Sequence, residues 1–353
     1  MAAGRDTLSH YGGGGWTLLG NPYTSALSAA SFIPQNEGSI DPNYLALYIY
    51  DGSVGPHGIY YFITADDTGW EIPSDGQFFN HNVQAGQGFF VLAVCNSSMF
   101  SFGRDMQAHE VSSPMTKSKN SDDRWPGVKL TAGISGSKAS TLVVFNEKMT
   151  NGLDPGYDIG QLGARSDIQV YSLLLKDNGI SFARQALPLP GSDNVTVPIG
   201  VDCMKGGTVT FSAEIKPLDG YKYLLEDRIT SAVTDLSASS YAVTLPPKTL
   251  GSGRFFLHLK NGTTGVDPAP DNTDPGRLHI WVYNGSIIIS GEVSGHAVAE
   301  IYDFSGKMIY SKNLDEGSLN TITPGQVKSG VYIVKVKDKS GITTCKVVLM
   351  PEK

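Results

Sequence analysis

Apolar residues occur along this chain in short runs rich in β-branched and aromatic side chains, and Gly, Asn or Asp separates one run from the next. Turn signals recur at intervals of roughly 8 to 12 residues, which is typical of all-β proteins. One helical turn is expected around residues 23–32. The pattern predicts an all-β chain built from tandem β-sandwich modules. Representative runs are 16–19, 45–50, 58–64, 140–145, 208–215, 254–259 and 278–283.

Two polar stretches without hydrophobic periodicity divide the chain. Residues 109–127 and 261–276 are dense in Ser, Asn, Asp, Gly and Pro, which is the composition of linkers. We therefore expect three modules: an acidic, aromatic-rich β module at 1–115, a β-sandwich at 125–262 and an immunoglobulin-like β-sandwich at 275–353.

The last region has the clearest strand pattern. Ala297, Ala299 and Ile301 alternate with more polar positions, as in a half-buried strand. A turn at 303–306 contains Gly306, where a hairpin often needs positive φ. In the strand that follows Gly330, the alternation predicts one face with Val331, Ile333 and Lys335 and an opposite face with Tyr332, Val334 and Val336.

Charge is distributed unevenly over the 353 residues. The net charge is -7, and residues 1–124 alone hold 5 Lys and Arg against 12 Asp and Glu. An acidic chain offers no basic surface to a phosphate backbone, so nucleic-acid binding is not expected. No apolar run approaches the roughly 18 residues that a transmembrane helix needs, so no transmembrane segment is expected.

The amino terminus and the cysteines bear on cellular location. The first residues lack the basic start and apolar stretch of a signal peptide, so the chain is either cytosolic or the later part of a longer polypeptide. Cys95, Cys203 and Cys345 are too widely spaced to suggest a disulfide framework or a C-x-x-C site. We expect all three to be small buried apolar residues.

Candidate catalytic and metal-binding residues are few, and we predict a protein without enzymatic activity or cofactor. The carboxylate pairs Asp66/Asp67 and Asp122/Asp123 lie in polar loops, where water keeps both acids ionised. Glu226 and Asp227 are expected to bond backbone amides or pair with Arg228. The seven histidines lack zinc-site spacing.

Calcium is the one metal that the sequence leaves open. The segments 154–158 and 271–274 place Asp oxygens within one turn, as a calcium site needs, although ordinary turns explain the same residues.

The aromatic residues of the first region suggest a second function. Aromatic faces stack on sugar rings, and an acidic, Tyr-rich sheet could bind carbohydrate. Because neighbouring strand residues point to opposite faces, most of these rings must enter the core. Tyr48 and Trp70 are the candidates for an exposed glycan platform.

Three motifs near the carboxy terminus occur in the order of a known family. AVAEIYDFSGKMIY (297–310), GQVKSGVYIVKV (325–336) and TTCKVVL (343–349) resemble the carboxy-terminal sorting domain of Bacteroidetes surface proteins exported by the type IX secretion system. Members usually open with Pro-Asn-Pro, where this chain has Asp274-Pro275-Gly276. Upstream, WTLLGNPYTS (16–25) and VQAGQGFFV (83–91) resemble the "GNPY…GQGFFV" module that precedes such domains, and the middle region resembles the β-sandwich that follows it.

The resemblance implies a secreted or outer-membrane surface protein whose partner is the export and anchoring machinery of the outer membrane. The upstream modules would be spacers or ligand-binding units. A carbohydrate-binding or carbohydrate-active protein, or an adhesin for host proteins, is the alternative. By resemblance the sorting signal comprises Gly330, Val331, Tyr332, Ile333, Val334, Lys335, Lys346, Val347 and Val348.

Overall fold

The computed structural model describes residues 15–52, 58–65, 68, 70, 82–95, 97–108, 124–162, 166–175, 179–191, 194–261, 278–283, 286–293, 296–324, 327–328, 330–339 and 341–349. Within them the regular secondary structure is mostly β-strand, so the predicted all-β class is confirmed. None of the helical segments described there is long and apolar enough to cross a membrane.

The first part combines two small sheets with one short helix. The helix α1 (Ala29–Asn36) buries Ala29, Phe32, Ile33 and Asn36, the spacing of an amphipathic helix. One sheet has the order β1-β6-β3-β4 and the other β5-β2-β7. Short 3-10 turns lie at Glu37–Ser39, Pro42–Tyr44 and Arg104–Met106. The strands are β1 (Trp16–Gly20), β2 (Ala26–Ser28), β3 (Leu47–Asp51), β4 (Ile59–Ile63), β5 (Asn82–Val83), β6 (Gly88–Leu92) and β7 (Gln107–Ala108).

The middle part is one long sheet that folds over on itself. Its order is β16-β15-β18-β13-β11-β12-β9-β8-β14-β17, with β10 added beside β12. Phe211 and Phe255 lie on distant strands of this order, yet their ring centroids are 4.9 Å apart. The two halves therefore face each other across a common core. The strands are β8 (Gly127–Ile134), β9 (Ser137–Phe145), β10 (Ile159–Gly160), β11 (Ile168–Ser172), β12 (Phe182–Leu187), β13 (Val195–Cys203), β14 (Gly207–Lys216), β15 (Tyr221–Asp227), β16 (Ala232–Asp235), β17 (Tyr241–Leu245) and β18 (Phe255–Asn261).

The last part is a sandwich of two facing sheets, with orders β19-β20-β23 and β22-β21-β24-β25. Ile280 and Ile289 from the first sheet share one core with Ile301 and Val334 from the second. That this sandwich is specifically immunoglobulin-like stays a prediction. The strands are β19 (His279–Tyr283), β20 (Ser286–Val293), β21 (Val298–Asp303), β22 (Met308–Asn313), β23 (Gly317–Ile322), β24 (Gly330–Asp338) and β25 (Gly341–Leu349).

The first and middle parts are packed together through an apolar cluster. Trp16, Tyr44 and Tyr48 of the first part share this cluster with Ile159 of the middle part. Hydrogen bonds also join the same parts, among them one from Trp70 Nε1 to the Trp125 carbonyl at 2.8 Å and one from the Trp125 N–H to the Thr68 carbonyl at 3.0 Å. The predicted module boundaries fall largely in 109–123 and 262–277, outside the described residues, and stay predictions.

The cysteines differ from one another in exposure. Cys203 is buried as predicted, whereas Cys95 is exposed and Cys345 is half-buried. The expectation of three buried cysteines is therefore wrong for Cys345 and most clearly for Cys95, which lies after the end of β6 in a turn with Ser97 and Ser98.

Candidate functional site

The two residues predicted to form an exposed glycan platform are both buried. Tyr48 is 1% exposed, and its hydroxyl donates to the Gly160 carbonyl at 2.7 Å. Trp70 is 9% exposed and its indole N–H is bonded to Trp125. The expectation of exposure is wrong because both rings lie where the first part meets the middle part. Their faces are therefore not open for stacking on a sugar.

Of the candidate carboxylate pairs, only Glu226 and Asp227 lie in the described part of the chain; 66–67 and 122–123 lie outside it. Both acids are at the end of β15 and are buried. Glu226 does contact Arg228, at 3.5 Å, but each acid also has a closer partner: His258 of β18 for Glu226, and Arg254, just before β18, for Asp227. Sequence reasoning missed these partners because they lie about thirty positions along the chain.

Asp227 forms a bidentate ion pair with Arg254. Arg254 Nε donates to Oδ1 at 2.8 Å and Nη2 donates to Oδ2 at 2.7 Å, while the Tyr241 hydroxyl also donates to Oδ2 at 2.8 Å. Burial raises the pKa of Asp227, but the Arg254 bonds and charge outweigh it and hold the pKa below its usual value. The carboxylate is therefore an ionised structural group.

Glu226 forms the second buried side-chain contact, a hydrogen bond with His258. Its Oε2 lies 2.8 Å from His258 Nε2, and Thr196 Oγ1 lies 3.0 Å from the other ring nitrogen. Burial raises the pKa of Glu226, but the His258 hydrogen bond and the Arg228 charge outweigh it and lower the pKa overall. An ionised acid with so little exposure lacks both the raised pKa and the access that a general acid needs.

In the segment 154–158, which the sequence leaves open for calcium, the Asp side-chain oxygens accept hydrogen bonds from backbone N–H groups. Asp158 accepts from the Asp154 N–H at 2.6 Å and the Ala186 N–H at 2.7 Å, and Asp154 accepts from the Thr150 N–H at 2.7 Å. Within the described residues no three His, Cys, Asp or Glu side chains converge as metal ligands. The second segment, 271–274, lies outside those residues, so the calcium alternative there is not tested.

The terminal sheet separates the predicted sorting residues into two sets. Tyr332, Val334 and Val347 point into the core, and the Tyr332 hydroxyl donates to the Lys328 carbonyl at 2.7 Å. Val331 lies on the opposite face and is 44% exposed. The period-two alternation predicted from the sequence is therefore present in β24.

The open face of this sheet mixes lysines with aliphatic residues. In register across β24 and β25, Ile333 is opposite Lys346 and Lys335 is opposite Thr344. On the neighbouring strand β21, Glu300 accepts from Lys337 Nζ at 2.6 Å. This hydrogen bond, followed by one from the Tyr302 hydroxyl, lowers the pKa of Glu300.

Among the strands that the structure describes, β25 is the last of its sheet and pairs with β24 along one side. Gly330 is opposite Leu349 and Val331 is opposite Val348 in this register. The structure thus brings all nine predicted residues into one hairpin. An edge strand presents backbone donors and acceptors on its outer side, which another chain can pair with.

The hairpin next to this surface has a well-defined turn. Asp303 Oδ1 accepts from the Ser305 N–H at 2.9 Å and the Lys307 N–H at 3.0 Å, and Gly306 adopts φ +81°. The hydrogen bond from the Ser305 hydroxyl is the main cause of the lowered pKa of Asp303. The sequence prediction of a glycine turn here is confirmed.

Comparison with known proteins gives two family matches. Residues 2–258 match the family described as "Domain of unknown function (DUF8693)", and residues 283–350 match the "Secretion system C-terminal sorting domain". No curated protein matches the chain. A solved structure described as "Biofilm associated protein - BSP domain" aligns at 8% identity over 91% of this chain and 70% of that chain, with a TM-score of 0.21.

The second match confirms the resemblance found in the motifs. A sorting tail of this kind engages the type IX secretion machinery, so the protein is exported to the cell surface or beyond it. The match covers β20 to β25, which includes the terminal hairpin. Residues 2–258 contain the strands from β1 to most of β18, so the chain belongs to the DUF8693 family, whose domain is here followed by a type IX sorting domain.

Proposed function

We propose that the terminal hairpin β24–β25 is the part of the sorting domain that the export machinery recognises. The observation that carries this proposal is the arrangement of one sheet: an edge strand beside an open face with Val331, Ile333, Lys335 and Lys346. Main-chain pairing at the edge would supply affinity, and the lysines would favour an acidic partner surface.

The experiment is a charge reversal on this face in the native host. We expect Lys335→Glu with Lys346→Glu to reduce the exported fraction by about tenfold or more, because like charges across a docked interface cost several kcal/mol. Neither side chain is buried, but Lys335 lies opposite Glu300 of β21, so the thermal unfolding midpoint of the double variant is measured alongside export to separate lost recognition from lost stability.

The matched control places the same charge change elsewhere. Lys138 and Lys222 are exposed strand lysines of the middle part, and Lys138→Glu with Lys222→Glu should leave export at the wild-type level. Equal export of the two double variants would refute recognition at the terminal hairpin.

We further propose that the upstream parts act as a rigid spacer. Support comes from their interlocking: Arg184 of the middle part donates to the Thr64 hydroxyl of the first part at 3.4 Å, and its guanidinium lies 5.5 Å from the Phe62 ring. A glycan array probed with the full chain tests the alternative. A spacer gives no retention, whereas specific retention would identify a carbohydrate-binding protein.

A further inference from the structure

Trp281 lies on the outer face of the sorting domain and is nevertheless buried. Its neighbours Ile280 and Val282 point into the sandwich core, so strand alternation directs Trp281 to the opposite side. The side chain is only 3% exposed, and Ile288, its partner across β20, is 7% exposed. Something outside the sandwich must therefore cover this face.

The cover is a recess lined by Gly251 and Gly253 near the end of the DUF8693 domain, which we call the glycine notch. Gly253 has φ +109°, and a Cβ atom there would lie 2.6 Å from Trp281 Cε3, closer than any real contact. Gly251 has φ +96°, and its Cβ would be 3.9 Å from Trp281 Cβ. Beside the notch, the Leu250 N–H donates to the Val282 carbonyl at 3.4 Å.

The notch is held in shape by the middle sheet, independently of the sorting domain. The Val201 N–H of β13 donates to the Gly251 carbonyl at 3.0 Å, and the Gly251 N–H donates to Asp202 Oδ1 at 2.8 Å. Two residues before Gly251, Thr249 and Cys203 exchange both backbone hydrogen bonds, at 2.7 and 3.1 Å. A recess that is preorganised in this way loses little entropy when a side chain enters it.

We propose that this notch is a docking site for the sorting domain, with the Trp281 indole as its anchor. Docking covers the outer face of β19 and β20 and leaves the face of β24 and β25 open, where Val331 is 44% and Ile342 is 63% exposed. The sorting domain is thus held in one orientation by the DUF8693 domain. This inference concerns the two domains of this chain and stands whether or not the terminal hairpin is the recognised element.

The contact is apolar in character. Trp281 Nε1 is buried and finds no acceptor among the described residues. The notch therefore selects a large flat ring, and the indole N–H contributes no hydrogen bond to the contact. A phenylalanine at position 281 should therefore fill the notch and keep the domains docked, whereas an alanine should not.

Hydrogen exchange in the full chain tests the docking. With Trp281→Ala we expect the segments 249–253 and 279–283 to exchange at least about tenfold faster, while the inner strands of both domains keep their protection. Trp281→Phe should exchange like the wild type. Equal exchange rates in Trp281→Ala and wild type would overturn the proposal.

A glycine pair provides the matched control on the other side of the contact. Gly253→Ala adds a methyl group against the indole and strains a positive-φ backbone. Gly220 has φ +80° with nothing within 4 Å, so Gly220→Ala adds the strain alone. Faster exchange at 279–283 in Gly253→Ala but not in Gly220→Ala supports docking, and identical behaviour of the two variants contradicts it. If Gly253→Ala fails to fold, the Trp281 pair decides.

Discussion

Two buried aspartates of this protein have pKa values shifted in opposite directions. Asp227 is held ionised by a bidentate arginine, which offsets the cost of burial. Asp158 is equally inaccessible, but its two closest donors are neutral backbone amides. Burial therefore dominates at Asp158 and raises its pKa to about 7, although Arg184 lies near enough to oppose the shift.

This difference predicts how stability depends on pH. An aspartate in an unfolded chain titrates near pH 4. Between about pH 4 and pH 7, the folded protein binds more protons at Asp158 than the unfolded chain does. The free energy of unfolding should therefore fall as the pH rises through this window, and the contribution is lost above about pH 7.

Urea denaturation across this pH range measures the effect. Asp158→Asn should flatten the slope, and the slope that remains comes in part from Asp202, whose pKa burial also raises. Asp303→Asn is the control. The pKa of Asp303 is lowered, so this acid changes the pH dependence of the unfolding free energy only at more acidic pH. An unchanged slope in Asp158→Asn would mean that the folded and unfolded protein bind the same number of protons at this carboxylate, which would contradict the raised pKa.

At the scale of elements, strand alternation and turn chemistry agree with the sequence. The hairpin between β8 and β9 has a two-residue loop, Ser135 and Gly136, with φ of +45° and +86°. Positive φ at both positions is the geometry of a type I′ turn, which asparagine followed by glycine fits best. Serine at the first position therefore has a mildly strained backbone conformation.

Replacing this serine should stabilise the protein. We expect Ser135→Asn to raise the free energy of unfolding by about 0.5–1 kcal/mol, because asparagine tolerates the left-handed conformation more readily. Ser137→Asn, two residues later in the strand, should give no gain, since asparagine is disfavoured there. Chemical denaturation of both variants checks this, and a loss of stability in Ser135→Asn would exclude the type I′ assignment.

For the whole molecule, the decisive feature is that its parts are packed against each other. The Tyr48 hydroxyl reaches the Gly160 carbonyl 112 positions away, inside the cluster shared by the first and middle parts. Trp281 makes the corresponding contact between the middle part and the sorting domain. Such contacts favour cooperative unfolding of neighbouring parts over independent modules.

Removing one hydroxyl tests this cooperativity. Tyr48→Phe leaves a buried carbonyl without that donor and should cost about 1–2 kcal/mol. We expect hydrogen exchange to increase together in β6 of the first part and β12 of the middle part. Tyr332→Phe, which removes an equally short bond within the sorting domain, should leave β6 and β12 unchanged. An increase confined to β6 in Tyr48→Phe would mean that the two upstream parts unfold separately.

The sequence by itself determined the β class, the faces of β24 and the order of motifs that marks the sorting domain. These properties are local, because a two-residue period and a turn residue act within a few positions of the chain. Only the tertiary structure decided that Tyr48 and Trp70 are covered, that Asp227 meets Arg254 and that Trp281 enters a glycine notch. Each of these outcomes depends on which distant segment packs against the side chain, and no local pattern specifies that.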